Sequence, residues 1–253
     1  MAREQTATGR VSICDNRTAM RLDKFICKHT PFSHQHSRLM IASGRVRVGG
    51  DVVTDPRAEV DRFVAVWLDD RQLQGEDAHY LMLHKPPGYL SATEDPQHPT
   101  VLDLMPSALR PRLHIGGRLD RSTSGLLILT NDGVWSRRLT EPKQKIPKVY
   151  RVKTERPISP ETESRFAEGI YLAYENLTTS PAQLEQLDEH EVRLTIYEGR
   201  YHQVKRMFAQ VGNRVVALHR ERMGAIVLDV DLAPGEHRAL TEAEVASVRA
   251  VSA

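Results

Sequence analysis

Chemistry in this chain centres first on an aspartate between two arginines. Gly117-Arg118-Leu119-Asp120-Arg121-Ser122-Thr123-Ser124-Gly125 leads straight into the apolar run Leu126-Leu127-Ile128-Leu129. That pattern predicts a glycine-bounded loop delivering an acid to the edge of a buried strand. Flanking guanidinium groups favour the ionised carboxylate, which suits a nucleophile and does not suit a general acid. The competing reading is a turn aspartate bonded to its own loop. On spacing alone that reading is slightly ahead.

A second constellation lies at Glu198-Gly199-Arg200-Tyr201-His202-Gln203-Val204-Lys205-Arg206-Met207-Phe208. Val204, Met207, Phe208 and Val211 recur at i, i+3, i+4 and i+7, the spacing of a helix with one buried face. His202, Lys205 and Arg206 fall outside that stripe. They form either an exposed basic face or a helix start that offers one cation to a carboxylate and others to phosphate. Charge is segregated along the chain although the net charge is only +2. Residues 134–157 carry eight Lys/Arg against two acids, residues 200–222 six against one, and residues 158–198 nine acids against two arginines. One basic face for a polyanion is the expectation.

The elements that must position these residues are legible in outline. Residues 1–20 show no periodicity and are expected to be a flexible tail. Leu22, Phe25 and Ile26 mark a short amphipathic helix. A second helix is expected from about Ser37 to Ser43, stopped by Gly44. Arg45-Val46-Arg47-Val48, Gly49-Gly50 and Val52-Val53 read as a tight hairpin. Phe63–Leu68 reads as a further strand and Gln72-Leu73-Gln74-Gly75 as linker. The expected organisation is a module over 21–72, a linker over 73–78 and a larger domain over 79–253. In the larger domain, strands are expected at 80–84, 126–130, 150–153 and 192–197, with helices at 134–140, 160–168 and 201–211. This is an α+β domain on a mixed or antiparallel sheet.

No apolar run approaches the roughly 20 residues of a membrane span, and residues 1–20 lack a secretory h-region. Cys14 and Cys27 have no metal-ligand spacing and read as free thiols in a reducing cytoplasm. His34-Gln35-His36 reads as a solvent-facing loop, so no metal site is expected.

Two small helices followed by a basic hairpin, carried by Ser37-Arg38 and Ser43-Gly44-Arg45-Val46-Arg47-Val48-Gly49-Gly50, resemble the S4-like RNA-binding domain. That likeness implies phosphate contacts from Arg38, Arg45 and Arg47; the wet face of a half-buried hairpin is the alternative. Gly117-Arg118-Leu119-Asp120, Lys148-Val149-Tyr150 and the segment Gly199–Phe208 stand in the order of the pseudouridine synthase motifs. Lys85-Pro86-Pro87-Gly88-Tyr89 and Leu232-Ala233-Pro234-Gly235-Glu236 resemble further landmarks of the same family. The His202-Gln203-Val204-Lys205 form and Leu218-His219-Arg220-Glu221-Arg222 resemble the branch acting on small-subunit ribosomal RNA, the RsuA type.

The resemblance implies Asp120 as nucleophile, Tyr150 packed on the target base and Lys205 paired with Asp120. Lysine makes that pair a point-charge contact, without the bidentate fork of arginine. Arg118, Arg200, His202, Gln203 and Arg206 are the implied substrate contacts. The implied reaction detaches uracil from carbon 1′ and rejoins it through carbon 5, with the nucleotide flipped out of the RNA. No cofactor or metal is expected. The expected substrate is uridine 516 of 16S rRNA in a partly assembled small subunit, met by a monomer in the cytoplasm. Alternatives are a 23S-directed synthase, a non-catalytic S4-type assembly protein, and a nucleoside hydrolase or glycosidase. The hydrolase would want a second carboxylate, which these motifs do not contain.

Overall fold

The computed structural model describes residues 19–250. Most of the expected tail, with Cys14, lies outside them. The chain divides into two compact units, with the boundary between Ala78 and His79.

In the first unit the elements are β1 (Met20–Arg21), α1 (Leu22–His29), α2 (His34–Ala42), β2 (Val46–Val48), β3 (Asp51–Val52), β4 (Glu59–Val60), β5 (Val66–Leu68) and β6 (Arg71–Gln74). Leu22, Phe25 and Ile26 pack on Met40, Ile41, Val46, Val66 and Leu68 to form its core. Helix α2 starts three residues before the expected Ser37. Ser33 caps it, its hydroxyl accepting from the His36 N–H at 3.3 Å, so His34 and His36 become exposed first-turn residues. Gly49 and Gly50, at φ +60° and +96°, make the turn between β2 and β3. Two further expectations are corrected. The strand expected from Phe63 begins only at Val66, because residues 62–64 turn, with the Val64 N–H donating to Asp61. Gln72-Leu73-Gln74 is no linker but part of β6, paired with β5.

The second unit comprises β7 (Tyr80–Lys85), β8 (His114–Gly116), β9 (Ser124–Thr130), α3 (Gly133–Thr140), β10 (Lys148–Thr154), α4 (Glu161–Glu168), β11 (Tyr171–Leu172), β12 (Leu177–Thr178), β13 (Gln183–Asp188), β14 (Glu191–Ile196), α5 (Gln203–Gln210), β15 (Val215–Met223), β16 (Ile226–Val227), β17 (His237–Ala239) and α6 (Glu242–Ala250). The main sheet runs β13-β14-β10-β15-β9-β7-β17. Its pairs are antiparallel except β9 with β15, which run parallel through Ser124↔His219 and Gly125↔Arg220. It is therefore a mixed sheet in an α+β unit.

Both faces of the sheet are covered, which is why β9 reads as an unbroken apolar run. Leu127 and Leu129 face one core with Tyr150, Leu194, Phe166, Met207 and Phe208. Leu126 and Ile128 face the other with Trp135, Leu139, Met223 and Val248. Gly125 makes the parallel pairing physically possible. Its φ is +109°, and a Cβ there would lie 2.3 Å from the Arg220 carbonyl oxygen. No helix among the described residues is long and apolar enough to cross a membrane.

Candidate active site

Asp120 sits in the loop between β8 and β9, and the protein holds that loop by its backbone. Ser91 Oγ donates to the Leu119 carbonyl at 2.8 Å and accepts from the Leu119 N–H at 3.1 Å. Lys85, completely buried, donates to the carbonyls of Thr123 at 2.8 Å and Pro86 at 3.0 Å. Arg220, also buried, spans the loop's two ends. Its Nε donates to Leu126 O at 2.8 Å and its Nη1 to Arg118 O at 3.3 Å. Its Nη2 is buried with no hydrogen-bond partner among the described residues. A loop tied at this many points holds its aspartate in one place at little entropic cost during reaction.

The side chains that meet Asp120 come from α5 and from its N-cap residue, His202. Val204, Met207 and Phe208 bury that helix against the sheet, each worth roughly 1.5–3 kcal/mol, and this leaves Lys205 on the opposite side. Lys205 Nζ lies 2.9 Å from Asp120 Oδ2 and donates to Ser122 Oγ at 2.9 Å. His202 Nε2 lies 3.5 Å from Asp120 Oδ1. The helix starts at Gln203, two residues later than its pattern suggests. His202 takes a left-handed conformation, φ +48°, and that unusual backbone turns its ring toward Asp120. Of the flanking arginines, Arg121 instead donates to the Gly88 carbonyl at 3.1 Å.

Asp120 and His202 border a cavity of about 590 Å³, within the range of small-ligand sites, and Lys205 reaches Asp120 from outside the lining. Tyr150, from β10 between Leu194 and Arg220, lines the cavity with Ile196, Val204 and Leu218. Arg118, Arg121, Lys148, Arg200 and Arg220 also line it. Asp120 is the single carboxylate among the described lining residues. Burial pushes the Lys148 ammonium down to about 8, and the nearby Arg220 charge adds to this. Burial likewise lowers Lys85 to about 8, while the Asp120 charge opposes the shift.

The structure thus brings together Asp120, Tyr150, Lys205, Arg118, Arg200 and His202. Gln203 borders the same cavity, but its amide is tied internally. Its Nε2 donates to Glu198 at 3.0 Å, and its Oε1 accepts from the Arg200 N–H at 3.0 Å. Arg206 is not among the lining residues; it donates to Glu175 at 3.0 Å and to the Tyr201 carbonyl at 3.2 Å.

In the first unit Arg38, Arg45 and Arg47 are all exposed, yet each already has a protein partner. Arg38 pairs with buried Asp23 at 3.0 Å, Arg45 with Asp69, and Arg47 donates to the Asp69 carbonyl at 3.2 Å. Burial pushes the Asp23 carboxyl up, but hydrogen bonds from Arg38 and Arg21 outweigh it and hold Asp23 below its usual range. Sequence reasoning gave no role to Lys85, Ser91, Lys148 or Arg220. The available signals were the charge that closes the apolar strand at Lys85 and the places of Lys85, Lys148 and Arg220 within motifs resembling the family's. Among the described residues no group of three or more His, Cys, Asp or Glu side chains could hold a metal ion.

A family model described as RNA pseudouridylate synthase matches residues 79–210, and one described as S4 domain matches residues 20–64. Ribosomal small subunit pseudouridine synthase A of Pseudomonas aeruginosa is 54% identical over 230 residues, covering 90% of this chain and 100% of that protein. The protein of the same name from Escherichia coli is 48% identical with the same coverage. A crystal structure of a pseudouridylate synthase matches with a TM-score of 0.67 at 40% identity, covering 90% of this chain and 99% of the other. The chain belongs to the RNA pseudouridylate synthase family, in its ribosomal small subunit pseudouridine synthase A branch, and is an RNA-modifying isomerase.

Proposed function

We propose that this enzyme converts one uridine of 16S rRNA, uridine 516 in standard numbering, to pseudouridine, with Asp120 as the nucleophile. The observation that carries the reading is a lone carboxylate, 2.9 Å from Lys205, in a cavity whose described lining holds several cations and Tyr150 but no second acid. A hydrolase working at carbon 1′ with paired acids would need a second carboxylate there.

The target nucleotide leaves the RNA stack to enter the cavity. The bond from N1 to carbon 1′ breaks, the uracil turns, and carbon 5 joins carbon 1′. The carbon 5 proton is lost and N1 regains one, so the reaction balances as an isomerisation without a redox partner. Tyr150, only 7% exposed, offers its ring to the base. Lys205 and His202 orient the Asp120 carboxylate, and the cavity keeps the detached uracil beside the sugar. The first unit docks RNA through phosphate contacts of its exposed arginines. The substrate is a partly assembled small subunit, and the enzyme works as a monomer in the cytoplasm.

Tyr150 gives a graded expectation. Tyr150→Phe lowers turnover about fivefold, the scale of one neutral hydrogen bond. Tyr150→Ala lowers it at least a further tenfold through lost stacking. Single-turnover rates check this, and an alanine variant as fast as the phenylalanine variant would remove Tyr150 from the base site.

The substrate assignment is tested by deleting the gene in its host and mapping pseudouridine in both large rRNAs by carbodiimide-dependent primer extension. The expected result is loss of a single 16S site, restored by the wild-type gene. Loss of a 23S site with 16S unchanged would overturn the substrate and keep the enzyme class.

A further inference from the structure

Exposed aromatic side chains are unevenly placed in this molecule. Among the described residues, the large exposed aromatics are Tyr171, Tyr174 and Tyr201. Tyr201 borders the Asp120 cavity. Tyr171 and Tyr174 belong to the hairpin of β11 and β12, with Tyr174 at its tip and 90% exposed.

One guanidinium joins the two places. Arg206 donates to Glu175 of the hairpin at 3.0 Å and to the Tyr201 carbonyl at 3.2 Å, and lies 6.0 Å from the centroid of the Tyr174 ring. Glu198 ties the same region further, accepting from the Ser180 N–H at 2.9 Å and from Gln203 at 3.0 Å. Tyr201 is 71% exposed, yet one of its faces is covered by His202, with ring centroids 3.9 Å apart and planes 19° from parallel. Its ring is therefore braced from one side by the residue that touches Asp120.

Single exposed aromatics are ordinary on protein surfaces. Two on one lip, joined by an arginine and adjoining a cavity that takes a nucleotide, are a different arrangement. Because Glu175 pairs with Arg206, the lip offers ring faces more than free charge. Ring faces recognise unpaired bases, and they do so with little sequence preference.

We propose that Tyr174 and Tyr201 form a stacking lip for the RNA bases adjoining the flipped uridine, holding the opened strand while the target nucleotide occupies the cavity. The proposal rests on reading the Asp120 cavity as the uridine site. It gives Arg206 the work of a strut under the lip.

The test uses the full chain and small subunits reconstituted from 16S rRNA carrying 2-aminopurine in place of the base on either side of the target uridine. Wild-type enzyme is expected to quench the fluorescence on binding, as stacking on an aromatic ring does. Tyr174→Ala and Tyr201→Ala are each expected to lose quenching at one labelled position and to raise KM at least fivefold. Tyr174→Phe and Tyr201→Phe are expected to keep both properties, since the ring remains. Unchanged melting temperatures separate these effects from misfolding. Full quenching in both alanine variants, on particles the wild type modifies, would overturn the lip. Unaltered quenching with reduced turnover would also overturn it and place a ribosomal protein against these tyrosines. Particles that wild-type enzyme binds but does not modify would instead overturn the uridine-site reading, and the lip with it.

Discussion

Asp120→Asn is expected to reduce isomerisation at least about 10³-fold, a loss of roughly 4 kcal/mol or more of transition-state stabilisation, while the protein folds and binds RNA as before. The substitution keeps the shape of the side chain and removes the charge that faces Lys205. Stability should barely change, because Lys205 keeps about a third of its side-chain surface exposed and retains Ser122 as an acceptor at 2.9 Å. Solvent therefore takes over much of what the carboxylate supplied. Release of tritium from [5-³H]uridine rRNA measures the chemistry, and thermal melting and filter binding measure the rest. Appreciable tritium release from the purified variant would remove Asp120 from the mechanism.

Lys205→Ala is the second large effect, an expected loss of about 100-fold in turnover under saturating RNA, near 2.7 kcal/mol at 1.36 kcal/mol per decade. Alanine deletes the ammonium at 2.9 Å from Asp120 Oδ2 and leaves His202, at 3.5 Å, as the remaining oriented contact. Asp120 lines the cavity and Lys205 meets it from outside the lining, so the loss should appear in kcat more than in KM. Lys205→Arg restores the charge with a larger, forked donor and should recover activity to within about tenfold of wild type. A rate for the alanine variant equal to wild type would show that Asp120 needs no lysine.

Much of the catalytic unit was legible because its strands carry their burial in their composition. Leu126–Leu129 is apolar on both faces since cores lie on both sides of β9, and the stripe of α5 gave the helix and its free face. The motif aspartate and lysine, eighty-five residues apart in sequence, do meet. Local pattern misled where tertiary context decided. The arginines beside Asp120 looked like its partners, yet Arg121 bonds Gly88 and the partners arrive from α5 and its N-cap residue. Arg206 looked free by its helical position and is paired with Glu175, thirty-one residues away. Gln72-Leu73-Gln74 looked like linker because an edge strand has few apolar residues to announce it. Lys85 and Arg220 stood in motifs resembling the family's but received no role, because a buried cation gripping carbonyls has no periodicity of its own.

The order of the sheet has a bearing on how this enzyme comes into being. Strand β15 lies in the middle of the sheet, between β10 and β9, although it comes after both along the chain. Until residues 215–223 are in place, β13-β14-β10 and β8-β9-β7 are separate ribbons, with β10 and the first half of β9 presenting unpaired edges. Joining them requires contacts such as Arg220 with Leu126, ninety-four residues apart, and such long-range closures make folding slow. The same insertion delivers the guanidinium that grips the loop around Asp120. A nascent chain is therefore inert until the seam closes. The open edges of the two ribbons are the surfaces through which unfinished copies would associate.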